Sequence, residues 1–536
     1  MLWLLAQLVD PALQPGPVRL PSSPSFERPS PEPAPGPAPQ LSPEIKGPIH
    51  YSPEALEEML GSCSQEQDRL AKLNACAAAL TAQFVADGYV NSKVYVETSP
   101  PPGRLEVVEG QLVEVRVQCS DPSLSKRVRR LLAPLQQGPL HLPSLETALL
   151  RLRQQAEVAS VKASLGRLGS DPTRAVLNLV VIPAQNPIQG ELSLRNDGNP
   201  GTGEARGLLA VQKRGLFNSN DNLLLYGELD SDNNPEVGYM LGSISYTAPL
   251  TDGLSLTSAF GLSRRQLVEV DQPLHGLSYR QLQGYGQLNW SLAETLDQQW
   301  YAFAGLSVNR NDVFIDGRSI PLIVGGGDYG WLRTGFLRAG LGFNGNNGSI
   351  AWGGNIYGLQ GLAGLSTPHQ QNALGQVGIY PGEARAIGAV LAASWAPESR
   401  LQINLRGATQ LALAELTSDM GFTLGSDAGL RGLPGQLVSG DNGYLGNIEL
   451  VWTAWKGAKN RFQLVPFIGA GGVQSERNGT FFQDTAGSGG ILGRWLQGNQ
   501  WSLEIGWVSP FQTEQQELWK DWLLSKGLYT QFKLRF

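Results

Sequence analysis

Along residues 528–536 apolar and polar positions alternate without a break. Leu528, Thr530, Phe532, Leu534 and Phe536 fall on one face of a strand, and Tyr529, Gln531, Lys533 and Arg535 on the other, because successive side chains point to opposite sides of a β-strand. Such a division suits a strand with lipid outside and water inside, and equally an ordinary sandwich strand laid over a core. The same period recurs upstream. Leu401 to Leu411 puts Leu401, Ile403, Leu405 and Leu411 on one side and Gln402, Asn404, Arg406 and Gln410 on the other. Gln281 to Trp290 sets Leu282, Gly284, Gly286, Leu288 and Trp290 against Gln281, Gln283, Tyr285, Gln287 and Asn289, and Tyr444 to Trp452 carries Asn447 and Glu449 on its wet side. A soluble sandwich would fill its inward faces with Val and Leu, so repeated Gln, Asn, Arg and Glu favour a barrel with a polar lumen. After Ile188 almost nothing reads as a helix. Strand candidates there recur at intervals of about 22 residues, about sixteen over residues 188–536, each near the length of about 10 residues that a tilted strand needs to cross a bilayer.

Ahead of this region the pattern turns helical. Ser52 and Pro53 suit the cap and first position of a short helix through Met59. Leu70, Leu73, Ala77, Leu80, Phe84 and Val85 recur at three-to-four spacing and predict a longer helix over Gln65 to Ala86, with Gly88 as its stop. Strands are expected over Ser92 to Val96 and Arg104 to Val117. The order then partly repeats, with helices over Pro122 to Ala133 and Leu142 to Gln154 and strands over Val161 to Leu165 and Arg174 to Ile182. The expected divisions are an apolar segment at 1–14, a Pro-dense linker at 15–48, α+β modules at 49–119 and 120–185, and a β-rich region at 186–536. Leu2 to Val9 reads as the end of a truncated export signal, the alternative being a short amphipathic segment of the mature chain.

Composition narrows the choice of environment. Sixty-five Gly, 13 Trp and 14 Tyr accompany only 16% charged residues, which fits many strands with an ion-free outer band and aromatic rims. No apolar run of about 18 residues occurs, so a membrane crossing has to be a closed barrel rather than a helix. A net charge of −6 argues against nucleic acid as a partner.

Candidate chemistry is sparse. His50, His141, His275 and His369 are scattered, and no GxSxG, HExxH, Walker-type GxxxxGK or metal-ligand spacing appears, so no catalytic, cofactor or metal site is expected. Cys63 and Cys76, 13 residues apart, could staple two helices in an oxidising compartment, leaving Cys119 odd. Buried structural thiols are the alternative.

Gly88-Tyr-Val-Asn-Ser-Lys-Val-Tyr-Val96 followed by Leu105-Glu-Val-Val-Glu-Gly-Gln-Leu112 resembles the signature of the first POTRA domain in outer-membrane transporters of two-partner secretion, the haemolysin secretion and activation type. Gly88, Tyr89, Val90, Ser92, Tyr95, Val108, Glu109 and Gly110 carry that match. Leu142 to Leu150 looks like the helix start of the family's second POTRA domain, and Ser245-Tyr-Thr-Ala-Pro-Leu250 is similar to a strand end early in its barrels. The resemblance covers about residues 49 to 536.

What the resemblance implies is a mainly β fold, a transmembrane β-barrel of about sixteen strands preceded by two small α+β POTRA domains. It implies a monomer set in outer-membrane lipid, POTRA domains in the periplasm, an unfolded TpsA-type partner protein as cargo, and no enzymatic activity. The alternative is a barrel-assembly factor of the same superfamily; a passive porin would not carry the tandem modules. Phe532, Leu534 and Phe536 become the signal read by the barrel-assembly machinery. The family also folds a long loop into the lumen with a Val-Arg-Gly-aromatic tip, matched here by Leu430-Arg-Gly-Leu433, in which Arg431 and Gly432 agree and Leu430 and Leu433 depart. That Arg pairs with an Asp in a Phe-x-Asp-x-Gly pattern on the wall. Here the segment reads Phe467-Ile-Gly469-Ala-Gly471, so Gly469 stands where the acid is expected. Either another lumen acid such as Glu449 takes over, or the loop is held more loosely.

Overall fold

The computed structural model of the chain describes residues 44–47, 56, 60, 63, 68–155, 157–184, 188–217, 221–251, 253–270, 274–295, 297–326, 330–477, 479–511, 517 and 519–536. The apolar segment at 1–14, nearly all of the Pro-dense stretch and most of the helix expected over Ser52 to Met59 lie outside the described residues. Residues 15–185 form one compact unit, and residues 186–536 belong to a second.

In the first unit, β1 (Glu44–Lys46) pairs in parallel with β3 (Arg104–Val108), which also pairs with β2 (Lys93–Glu97). Part of the stretch expected to be linker is therefore a sheet strand. Asp68 caps α1 (Arg69–Ala86), accepting from the Ala71 N–H at 3.0 Å. The helix buries Leu73, Cys76, Ala77, Leu80 and Phe84 with Val94, Leu105 and Val107 of the sheet. Cys63 and Cys76 are joined in a disulfide and Cys119 is a free thiol.

The strand expected over Arg104 to Val117 is in fact two strands. It breaks at Gly110, where a Cβ would lie 2.2 Å from the Asn91 side chain. Beyond the break β4 (Gln111–Gln118) joins a different sheet, of order β4-β6-β5, with β5 (Val158–Arg167) and β6 (Arg174–Pro183). The division expected between 119 and 120 thus falls at Gly110, because a two-residue period does not record which sheet a strand will join. Helices α2 (Pro122–Leu132) and α3 (Leu142–Gln154) cover this second sheet, burying Leu124, Val128, Leu145 and Leu149 with Leu112, Val161, Leu177 and Leu179.

The second unit is a closed antiparallel barrel. Its first strands are β7 (Ile188–Arg195), β8 (Ala205–Arg214), β9 (Asn222–Ser231), β10 (Val237–Thr251), β11 (Leu254–Gln266), β12 (Ser278–Glu294) and β13 (Gln298–Ile315). After the two-residue β14 (Arg318–Ser319) come β15 (Trp331–Asn346), β16 (Ile350–Gly361), β17 (Arg385–Glu398) and β18 (Leu401–Ala412). Short β19 (Phe422–Leu424) and β20 (Val438–Gly440) pair only with each other. The ring resumes with β21 (Asn442–Lys456), β22 (Asn460–Arg477), β23 (Thr480–Gln497), β24 (Trp501–Phe511) and β25 (Leu528–Arg535). Leaving aside β14, a stub on β13, sixteen strands close the barrel among the described residues. Closure is made by β25 against β7, pairing Gln531–Arg535 with Arg195–Glu191.

Alternation decides which way each side chain points. On β21 the outward Tyr444, Ile448 and Trp452 are exposed while the inward Leu445 and Asn447 are buried. On β12 the inward Tyr285, Gln287 and Asn289 hydrogen-bond in series, Tyr285 Oη to Gln287 and Gln287 Nε2 to Asn289 Oδ1 at 2.5 Å. A lumen face is thus satisfied by its own polar side chains. Near the short turns Trp455 stacks on Trp495 at 5.7 Å and Trp300 tilts on Phe343 at 5.3 Å, outward aromatics of the kind that line membrane interfaces. Among the described residues after Ile188 the one α-helix is α4 (Pro368–Gly375), between β16 and β17. Its signal was local: Thr367 and Gln370 form a capping box with Pro368 at the first position.

Candidate functional site: a loop clamped in the barrel lumen

The connection from β18 to β21, residues 413–441, lies inside the barrel. Asn309 Nδ2 on β13 donates to Asp419 Oδ2 at 2.7 Å, and Gln410 Nε2 on β18 donates to Met420 O at 2.9 Å and Asp441 O at 3.1 Å. Asn447 Nδ2 on β21 donates to Gly429 O at 2.7 Å. A segment reaching the inward faces of so many strands has to run through the lumen. Leu416, Met420, Phe422, Leu424, Leu430 and Leu433 are buried there with Val465, Phe467, Val508 and Tyr529 of the wall. On the other side of the loop a cavity of about 690 Å³ remains, lined by Gln281, Gln283, Tyr285, Arg338 and Gln410 among others.

Arg431 sits at the loop's tip and meets two carboxylates. Its Nε lies 2.8 Å from Glu449 Oε1 on β21, and its Nη1 pairs with Glu504 Oε2 on β24. Glu504 is shared with Arg494 of β23, 2.6 Å away. The guanidinium also lies 5.9 Å from the Tyr529 ring centroid, and Ser488 Oγ donates to the Arg431 carbonyl. Charge-assisted bonds in a restricted lumen are the strong kind, since both groups have given up much of their water. Gly432 follows at φ +81°, and a Cβ there would come within 3.1 Å of Val508, so the tip needs glycine for conformation and for clearance.

Of the two open readings for Arg431, lumen acids take over the pairing. Glu449 was visible from the alternation of β21; Glu504 was missed. Its signal was available, because Trp501, Leu503, Ile505 and Trp507 alternate with Ser502 and Glu504, putting an acid on an inward face. Of the residues matched to the wall pattern, Phe467 packs against the tip region. Gly469 and Gly471 sit in close quarters: a Cβ would lie 3.1 Å from Leu430 Cδ2 of the loop at the first, and 2.5 Å from Tyr444 O of β21 and 2.7 Å from Leu424 Cδ2 of the loop at the second.

A second set of contacts holds the loop to β8 and β9. Asp427 Oδ1 lies 2.7 Å from Arg206 Nη1, and Arg206 also faces Glu228 Oε1 at 2.5 Å and Asp230 Oδ1 at 3.8 Å. The sequence reading did not single out any of these four residues.

The residues that carry the family signature in the first unit mostly gather at the joint between its two modules. Gly88, at φ +92°, ends α1 and accepts from the Leu142 N–H at 2.9 Å. The Tyr89 ring packs 5.0 Å from His141, and Val90 lies against the second module's core. Ser92 Oγ accepts from the Gly110 N–H at 3.0 Å, and Gly110 O accepts from Leu140 N–H at 2.7 Å. Val108 closes β3 with Glu109 just beyond it, while Tyr95 is exposed on β2. In the last strand, Leu534 and Phe536 are exposed on the outer face, Phe532 packs near Trp501 at 6.4 Å, and Phe536 exchanges backbone hydrogen bonds with Gly190.

A closed sixteen-stranded barrel with a polar inner face and an Arg-Gly loop clamped across its lumen defines an outer-membrane β-barrel transporter. The chain belongs to the haemolysin secretion/activation protein family ShlB/FhaC/HecB, whose profile matches residues 174–493, more than half of its length. This is a family of two-partner secretion transporters. The fold is similar to that of CdiB from Escherichia coli, with TM-score 0.72 and 14% identity over 95% of this chain and 93% of that one. CdiB from Acinetobacter baumannii gives TM-score 0.67 and 17% identity over 100% and 96% of the two chains. A search of curated protein sequences gives no match.

Proposed function

We propose that this protein exports an unfolded TpsA-type partner protein through its barrel, with the N-terminal modules receiving the cargo in the periplasm and the lumenal loop closing the pore at rest. The observation that carries the reading is the way the lumen is filled. Beside the apolar cluster that it shares with the wall, the loop is tied at two points by ion pairs, contacts that water and a passing chain can replace. Cargo recognition is assigned to strand edges: β2 borders the first sheet and β4 and β5 border the second, and an extended chain can add to such an edge by backbone bonds that tolerate many sequences. In this reading the barrel is a monomer in outer-membrane lipid, delivered there by the barrel-assembly machinery through its last strand.

The test is co-expression with a candidate cargo, a large exported protein encoded nearby. Deleting residues 44–185 should abolish its appearance in the medium while the barrel still inserts. Undiminished secretion from the truncated transporter would refute the proposed receiving role.

A further inference from the structure

Arg206 is buried on β8, with its side chain 2% exposed, and its ion pair reaches a loop residue other than the tip. Asp427 is its partner there, and the neighbouring loop backbone is tied to the same wall. The Gln436 N–H donates to Asn199 Oδ1 at 2.8 Å and the Gly435 N–H to Gly198 O at 3.0 Å. Asn199 in turn is held by Asp230, Nδ2 to Oδ2 at 2.6 Å. These contacts involve neither Arg431 nor its two glutamates. Within the loop the Asp427 N–H donates to Gly435 O at 3.1 Å and the Ser426 N–H to Pro434 O at 2.8 Å, so the segments on either side of the tip form one clasp.

At each contact point one wall charge has a partner that stays behind. When the loop withdraws, Arg206 keeps Glu228 and Asp230, and Glu504 keeps Arg494. Opening a buried ion pair is prohibitive chiefly when it strands one charge without compensation, and here the departing Asp427 and Arg431 travel with the loop toward water. Such a wall can release the loop and take it back.

Building on the export reading above, we propose that Arg206 and Asp427 form a second, releasable latch on the lumenal loop, separate from the Arg431 tip, so that the loop leaves the lumen only when both ion pairs open. Arg206 acts here as a positioning residue: it sets where the loop rests.

The test uses the full-length transporter in intact cells with Cys119→Ser and a reporter Leu433→Cys, a loop position fully buried in the docked state. Labelling by a membrane-impermeant maleimide reads how often the loop emerges. Asp427→Asn opens the second latch, nearly isosterically and on the loop instead of the barrel; Asp427→Ala is the reserve variant, and heat-modifiable gel mobility checks the barrel in every arm. Two independent latches multiply, so Asp427→Asn should raise the labelling rate about tenfold both alone and on top of Arg431→Ala. The proposal is overturned if Asp427→Asn leaves the rate unchanged in both backgrounds, or if it adds nothing once Arg431 is removed. Labelling reports docking with or without cargo, so a parallel secretion assay separates failure of the latch from failure of the export reading.

Discussion

Leu430 occupies the space that a side chain at Gly469 would need, with a Cβ at Gly469 falling 3.1 Å from Leu430 Cδ2. Two departures from the family pattern, one on the loop and one on the wall, therefore compensate each other. Gly469→Asp, which restores the family's residue, should loosen the loop instead of tightening it, because overpacking a close contact costs about 1–3 kcal/mol. Combining it with Leu430→Val should recover much of the loss. Protease cleavage of the loop in outer-membrane preparations measures both; a single Gly469→Asp variant with a better protected loop would contradict the assignment.

Glu449 and Glu504 should not be equivalent. Glu449→Gln leaves Arg431 paired with Glu504, whereas Glu504→Gln takes a carboxylate from Arg431 and Arg494 together. Removing one partner of a buried charge pair costs about 3–5 kcal/mol, so the Glu504 variant should show the larger rise in open-pore conductance in planar bilayers. Equal conductance from the two variants would show that Arg494 does not depend on Glu504.

Gly88→Ala should weaken the joint between the N-terminal modules. The position has φ +92°, and a Cβ would lie 2.8 Å from Pro143 Cδ of the second module. A non-glycine residue in that conformation costs about 1–3 kcal/mol before the clash is counted. Limited proteolysis of the full chain should find a new cleavage site near residues 88–110, with barrel gel mobility unchanged.

Reduction of Cys63–Cys76 should destabilise the first module alone. The bridge spans 13 residues, and closing a loop of about 15 is worth about 3 kcal/mol in the chain-entropy picture. Cys63→Ser should make residues 44–110 protease-sensitive under oxidising conditions and remove their response to reductant. A module equally resistant with and without the bridge would show that its core suffices.

Phe536 carries both backbone bonds to Gly190, at 2.8 and 3.0 Å, and its ring lies where a Cβ on Gly190 would be, 2.3 Å from the nearest ring carbon. Deleting Phe536 should lower the amount of folded barrel in the outer membrane before it affects transport per folded barrel. Normal insertion of the shortened chain would remove the role assigned to this residue.

The alternation of Leu528 to Phe536, of Gln281 to Trp290 and of Tyr444 to Trp452 was enough to assign faces, because side-chain direction in a strand depends only on residue parity. The same logic gave the number of strands and marked Glu449 as a lumen acid, and the helical period gave α3 with both its ends. Boundaries that depend on pairing partners were not accessible in this way. Gly110 separates two strands that read as one, and Glu44–Lys46 joins a sheet from within a Pro-rich stretch, since hydrogen-bond partners come from distant segments.

By itself, then, the sequence determined a polar-lined barrel and two α+β modules ahead of it, while family resemblance singled out Arg431 in a long loop and left its partner open. Which carboxylates it finds was decided only in three dimensions. Glu504 lies 73 residues from Arg431 along the chain, and Arg206 meets Asp427 from the far end of the barrel's sequence. Several inward acids were equally eligible by parity, Glu228, Asp230 and Asp484 among them. Closing β25 on β7 fixes the height and angular position of every inward side chain, and the charges the loop meets follow from that closure, a property of the ring and of no single strand.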